Sequence, residues 1–113
     1  MRRISFAKTR EQFLDGSKDV TRRKGWLFLK PGDRLLAVSK CMGLKAGEKP
    51  EIYGPIEVVS VRRERLIKID ADDVRREGFH GKSPGWFVAM FCRSFGMGPH
   101  DEITRIEFRK ISL

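Results

Sequence analysis

"GSKDVTRRKGW", Gly16 to Trp26, is the stretch on which the reading of this chain turns. Lys18, Arg22, Arg23 and Lys24 crowd into it with the hydroxyl of Thr21, a glycine lies near each end, and Trp26 closes it. A lysine is a compact point charge, an arginine a planar fork for paired hydrogen bonds, and a threonine hydroxyl donates or accepts. A short loop carrying that set offers cations and hydroxyls to a phosphate or to the edge of a base. In a regular strand Lys18, Val20 and Arg22 would point one way, and Asp19, Thr21 and Arg23 the other. Bringing Lys18 beside Thr21 therefore requires a turn or bulge, for which Gly16 is close at hand.

Working outward, "RRISF" reads as a short opening strand. "TREQFLDG" follows as a short helix, with Thr9 and Gln12 spaced as a capping box and Gly16 as the stop. Phe13 and Leu14 are expected to pack inward from it. Beyond Trp26, Pro31-Gly32-Asp33 marks a turn that Asp33 serves, and Leu35 to Val38 reads as a buried strand. "GLKAGEKPEIYGP" reads as a surface loop carrying Tyr53, and "IEVVSVRRERLIKI" as a strand long enough to bend across a barrel. "DADDVRREGF" reads as a helix capped by Asp70 with Gly78 just past its end. "SPGWFVAMFCRSFG" has Ser83 as N-cap and Pro84 at the first helical position. Phe87, Met90, Phe91 and Phe95 share one face of that helix, a stripe assigned to core packing. "ITRIEFRKISL" closes the chain as a strand with Ile106 and Phe108 on one face.

The bulk composition bounds the function. The length of 113 residues suits one domain over 1–113. No apolar run approaches the roughly 20 residues of a membrane span, and "MRRISFAKTREQF" lacks the apolar core of a signal peptide. A soluble, cytoplasmic protein, monomeric and away from membranes, is expected. Cys41 and Cys92 stand half the chain apart and form no disulfide framework. With His80 and His100 they equal a zinc ligand count, but no paired spacing exists, so neither a metal nor a cofactor is expected. The net charge is +9. It is concentrated in residues 1–50, where 13 Lys and Arg face 5 Asp and Glu. A basic half beside a neutral half points to an anionic partner, RNA or a nucleotide first.

"GSKDVTRR" resembles the signature of the ASCH domain family, a Gly-x-Lys-x-x-Thr-x-Arg segment after a short helix, matched here by Gly16, Lys18, Thr21 and Arg23. "WLFLKPGDRL", "CMGLKAGEK", "REGF" before a Ser-Pro helix, and the terminal "ITRIEF" extend the resemblance along nearly the whole chain. It implies an α+β fold, a PUA-like small β-barrel made from a strongly curved mixed sheet with short helices at its ends. It also implies a cleft suited to RNA or a nucleoside, with the motif along its wall. Members are mostly proposed as RNA-binding modules, one branch removes the acyl group from acetylated cytidine nucleosides, and ribonuclease activity has been attributed to others.

Three functions stay open on the sequence. The first is an RNA- or nucleotide-binding module using Gly16, Lys18, Thr21, Arg22, Arg23 and Glu77, with Trp26 and Tyr53 as stacking platforms for a base. His80 and Lys82 fall just after Glu77 and read as surface residues at the cleft. The second is a small amidohydrolase with Lys18, Thr21 and Glu77 as its catalytic set, the resemblance carrying the carboxylate onto Glu77. Glu77 is independently unusual: it ends a helix whose dipole favours cations, as Arg75 and Arg76 obey, which suggests that it pairs elsewhere, with Lys18. A catalytic Lys18 must shed its proton near neutrality, which Arg22, Arg23 and Lys24 would favour and Glu77 would oppose. The third is a protein-binding adaptor.

Overall fold

A computed structural model describes residues 1–112. Its strands are β1 (Arg3–Ser5), β2 (Val20–Arg23), β3 (Arg34–Val38), β4 (Ile52–Arg65) and β5 (Glu102–Lys110). The helices are α1 (Arg10–Asp15), α2 (Ala71–Arg76) and α3 (Pro84–Phe95), with a 3-10 turn at Leu66–Lys68. The strands form one mixed sheet in the order β1-β3-β4-β5-β2, in which only the β1–β3 pair is parallel. The sheet curls into a half-barrel with short helices packed on it, the small PUA-like α+β architecture expected from the sequence.

Local chemistry accounts for most of these elements. Ser83 accepts from the Trp86 amide, Pro84 opens α3 where its missing donor costs nothing, and Gly96 ends it in the left-handed region. Asp70 caps α2 by accepting from the Asp73 amide. The Asp33 carboxylate closes its turn by accepting from the Lys30 amide at 2.9 Å. β4 is long enough to serve both β3 and β5, and its register with β5 slips between Val58 and Ser60, a bulge that helps the sheet bend.

Four local expectations need correction. Thr9 precedes α1 but its side chain makes no capping hydrogen bond. It is buried instead beneath Gly78, with Cγ2 3.1 Å from where a Cβ on that glycine would lie. Phe13 is fully buried, whereas Leu14 is 39% exposed, because a six-residue helix offers the core a single stripe. Tyr53 belongs to the start of β4 rather than to the preceding loop, and its ring packs 5.9 Å from that of Phe13. The α3 stripe is only partly core: Phe87 and Phe91 are buried, Met90 is half-buried and Phe95 is exposed.

The interior has two parts. Ile4, Phe6, Phe13, Leu35, Ile56 and Phe108, among others, fill the concave side of the half-barrel. Leu66, Ile69, Val74, Phe87, Phe91 and Ile103 pack α2 and α3 against the ends of β4 and β5. β1 and β2, the two edges of the sheet, approach each other where these cores meet. There the Arg23 guanidinium donates to the Ser5 carbonyl at 2.6 Å, in place of a backbone ladder across the seam.

Candidate functional site

A cleft of about 220 Å³ opens at that seam. One wall carries Lys18, Thr21, Arg22, Arg23 and Glu77; the other is built from Phe79 and the α3 residues Phe87, Met90, Phe91 and Phe95. Ser5 to Thr9, leaving β1, complete it. The missing closure of the barrel thus becomes the concavity, and the two cores supply its apolar surfaces.

The turn that the sequence demanded lies just before β2. The Lys18 amide donates to the Gln12 carbonyl at 3.0 Å and the Asp19 amide to the Arg76 carbonyl at 3.0 Å, so the strand begins only at Val20. Released from strand alternation, Lys18 reaches over the Phe6 ring at 5.3 Å, as Arg23 does from β2 at 5.3 Å. Thr21 and Arg23 then share a strand face, and Arg23 Nε donates to Thr21 Oγ1 at 3.1 Å.

Glu77 meets Lys18 across the cleft wall. Lys18 Nζ donates to the Glu77 backbone carbonyl at 2.5 Å and to its Oε1 at 3.2 Å, with both side chains almost wholly buried. The carboxylate at the end of α2 is therefore paired as its unfavourable helix position suggested. Burial drives the Lys18 amine below the ordinary lysine range, with Glu77 pulling the other way. Burial likewise lowers Arg23, also against Glu77.

Behind this wall lies an ionic cluster that sequence reasoning missed. Arg22 points away from Thr21 and donates to Asp73 at 2.6 Å, Glu64 at 3.1 Å and Glu77 at 3.5 Å. Arg105, directly opposite Arg22 in the β2–β5 register, grips Asp73 with two hydrogen bonds at 2.7 and 3.1 Å. Burial works to raise the Asp73 carboxyl, but the bonds from Arg105 and Arg22 outweigh it and hold the group below the usual carboxylate range. Four cations, Lys18, Arg22, Arg23 and Arg105, face three carboxylates, Glu64, Asp73 and Glu77. Lys18, Arg22 and Arg105 are thus paired with carboxylates, and Arg23 is the cation left over, bonded to Thr21 and the Ser5 carbonyl instead. Arg22 Nε alone among the described buried side-chain atoms lacks a partner. Arg105 sits in a closing strand that also carries Glu102, Glu107, Arg109 and Lys110, so its charge alone did not mark it out.

Of the residues singled out from the sequence, Lys18, Thr21, Arg22, Arg23 and Glu77 are brought together. Three lie outside the cleft. Gly16 ends α1 at a φ of 85°, a conformation that favours glycine, and contributes to the approach of Lys18 rather than to the wall. Trp26 is half-buried against the half-barrel core, and Tyr53 leans on Phe13 under Arg10. His80 and Lys82 are exposed. The cleft also recruits Lys8 and the α3 stripe, which had been assigned to packing alone.

No family model matches this chain, and no curated protein matches it. Solved structures do. An ASCH domain from Lactobacillus crispatus JV V101 superposes with a TM-score of 0.63 at 19% identity, over 90% of this chain and 69% of that one. A protein of the DUF984 family from Enterococcus faecalis V583 superposes with a TM-score of 0.66 at 12% identity, over 92% of this chain and 70% of that one. At such identities the likeness is one of fold: this chain has the fold of an ASCH domain, a mixed sheet curled into a PUA-like half-barrel.

Proposed function

We propose that this chain binds RNA or a nucleotide through the cleft between β1 and β2, with one base held between its two walls. The observation that carries this reading is that one cleft is lined both by Lys18, Thr21, Arg23 and Glu77 and by aromatic rings, of which Phe79 and Phe95 are the accessible ones. An aromatic surface under a base typically contributes about 1–3 kcal/mol. The opposing wall presents donors and acceptors fixed by their own hydrogen bonds, ready for the polar edge of a base. Because carboxylates already engage most of its cations, it suits a base edge better than a naked phosphate. Phosphates then fall to exposed cations at the mouth, Lys8 first, and to the net charge of +9. The ASCH resemblance, whose members are mostly proposed to bind RNA, favours the same function. The reading includes a single domain over 1–113, acting as a monomer in the cytoplasm.

The test is amide chemical-shift mapping during titration with a short single-stranded RNA and, in parallel, cytidine. Shifts gathered on residues 16–24 and around Glu77 are expected. Shifts that are absent, or spread over every lysine and arginine, overturn the cleft.

One observation favours hydrolysis of an acetylated cytidine as a second reading: burial pushes the Lys18 amine towards neutrality beside Thr21 and Glu77. Against it, Thr21 Oγ1 already accepts from Arg23, and Glu77 holds the Lys18 proton. Turnover of acetylated cytidine that disappears in Lys18→Ala would establish this reading; its absence from neutral to alkaline pH would remove it.

A further inference from the structure

The segment after β2 leaves an aromatic and basic patch outside the cleft. Gly25 and Trp26 occupy the left-handed region in succession, at φ of 80° and 56°, and Trp26 is the only non-glycine among the described residues to do so. Bulky residues rarely adopt that conformation. Here it tucks the Trp26 ring half into the core while the next two residues turn outward, leaving Leu27 72% and Phe28 49% exposed. The Phe28 ring lies 5.4 Å from that of Trp26, and the Arg2 guanidinium covers it at 4.2 Å. Arg3, Lys24 and Lys30 are exposed, and "KGWLFLK" contains no acid.

Two contacts give the patch its direction. Arg23, at the cleft, bonds to Ser5 at one end of β1, and Phe28 meets Arg2 just before the other end. The intervening segment therefore runs beside the outer edge of β1 and away from the cleft. Three residue steps of extended chain, from Arg2 to Ser5, separate the two contacts, about 10 Å.

We infer that Phe28 and Arg2 form a second nucleotide subsite, which stacks a base flanking the one in the cleft. The ligand class is then single-stranded RNA several nucleotides long rather than a free nucleoside. This inference rests on the cleft reading and specifies its ligand. Single-stranded RNA is held by stacking on aromatic rings and on arginine planes within a cationic track. Phe28 supplies the ring. Arg2 is an exposed cap on that ring, which a base replaces, freeing its guanidinium for the adjoining phosphate.

The experiment compares binding of cytidine 5′-monophosphate and a cytidylate hexamer to the wild type and Phe28→Ala at one salt concentration. The hexamer is expected to bind the wild type at least tenfold more tightly than the monophosphate. Phe28→Ala should weaken the hexamer at least about fivefold, leave the monophosphate unchanged, and be rescued by Phe28→Trp. Unchanged hexamer affinity in Phe28→Ala, or equal loss for both ligands, overturns the subsite. So does a loss confined to vesicles of anionic phospholipid, which would assign the patch to a membrane surface. Failure of the monophosphate to bind the wild type overturns the cleft reading, and this inference with it.

Discussion

Replacing Asp73 with Asn tests whether the ionic cluster behind the cleft holds the fold together. Its carboxylate accepts from Arg22 at 2.6 Å and from Arg105 at 2.7 and 3.1 Å, with the side chain only 8% exposed. Asparagine keeps the size and the backbone contact to Asp70, but exchanges an anion for an amide whose NH2 meets guanidinium donors. Removing one partner of a buried ion pair costs about 3–5 kcal/mol, because the other charge is left uncompensated. Against a total stability of about 5–15 kcal/mol this is a large fraction. At roughly 4 °C per kcal/mol, it lowers Tm by about 12–20 °C. The pH dependence follows from the depressed carboxyl. The unfolded chain takes up this proton as pH falls through the ordinary Asp value of 3.8, and the folded protein does not. The contribution of Asp73 is therefore complete at neutral pH and is lost progressively below about 4. Urea midpoints of wild type and variant should differ fully at pH 7, and the gap should shrink by about 1 kcal/mol at pH 3. A difference under about 1 kcal/mol at pH 7, or one that does not narrow in acid, refutes the reasoning.

Gly78→Ala should lose at least about 2 kcal/mol by thermal melting, since φ is +100° and a Cβ would press on Gln12 Cβ and Thr9 Cγ2 at 3.1 Å. It should also weaken ligand binding, because Thr9 and the neighbouring Glu77 both line the cleft. Lys18→Met should reduce RNA affinity at least about tenfold in a binding titration, a loss of about 1.4 kcal/mol. The folded lysine gives up its proton at lower pH than the unfolded one, so the wild type should gain stability as pH rises towards 10.5, and the variant should lack that gain in urea melts. Lys8→Ala, at the exposed mouth, should lower the slope of log affinity against log salt by about one unit, whereas Arg23→Ala should lower affinity with little change in slope.

The legible part of the site was its short-range part. The "GSKDVTRR" segment pointed to Lys18, Thr21 and Arg23, and the misplaced charge of Glu77 pointed to its pairing with Lys18, 59 residues away. Arg22 was read as another cation of a binding loop, and its actual engagement was not visible. Its partners Glu64 and Asp73 lie 42 and 51 residues further along the chain. Nothing in a helix whose first turn holds Asp72 and Asp73 distinguishes the buried acid from its exposed neighbour. The α3 stripe was correctly identified as apolar, but periodicity reports a hydrophobic face without saying whether protein or solvent covers each part of it.

The sequence by itself determined most of the elements and several of their ends, though not those of β4, which begins at Ile52 rather than Ile56 and gives way to a 3-10 turn after Arg65. Ser83, Pro84 and Gly96 bound α3, Asp70 opens α2, and Pro31-Gly32-Asp33 turns the chain into β3, because caps and turns involve residues a few positions apart. Where local rules competed with packing, as for Thr9, the tertiary structure prevailed. Only that structure decided that β1 and β2 would be opposite edges of one sheet, facing each other across an unclosed seam. That outcome depends on how far a bulged, twisted β4 carries its neighbours around, a sum of small rotations that no short stretch encodes. The cleft exists because the sum stops short of closure, and the buried charges beside it are tolerated only because residues distant in sequence converge to neutralise them.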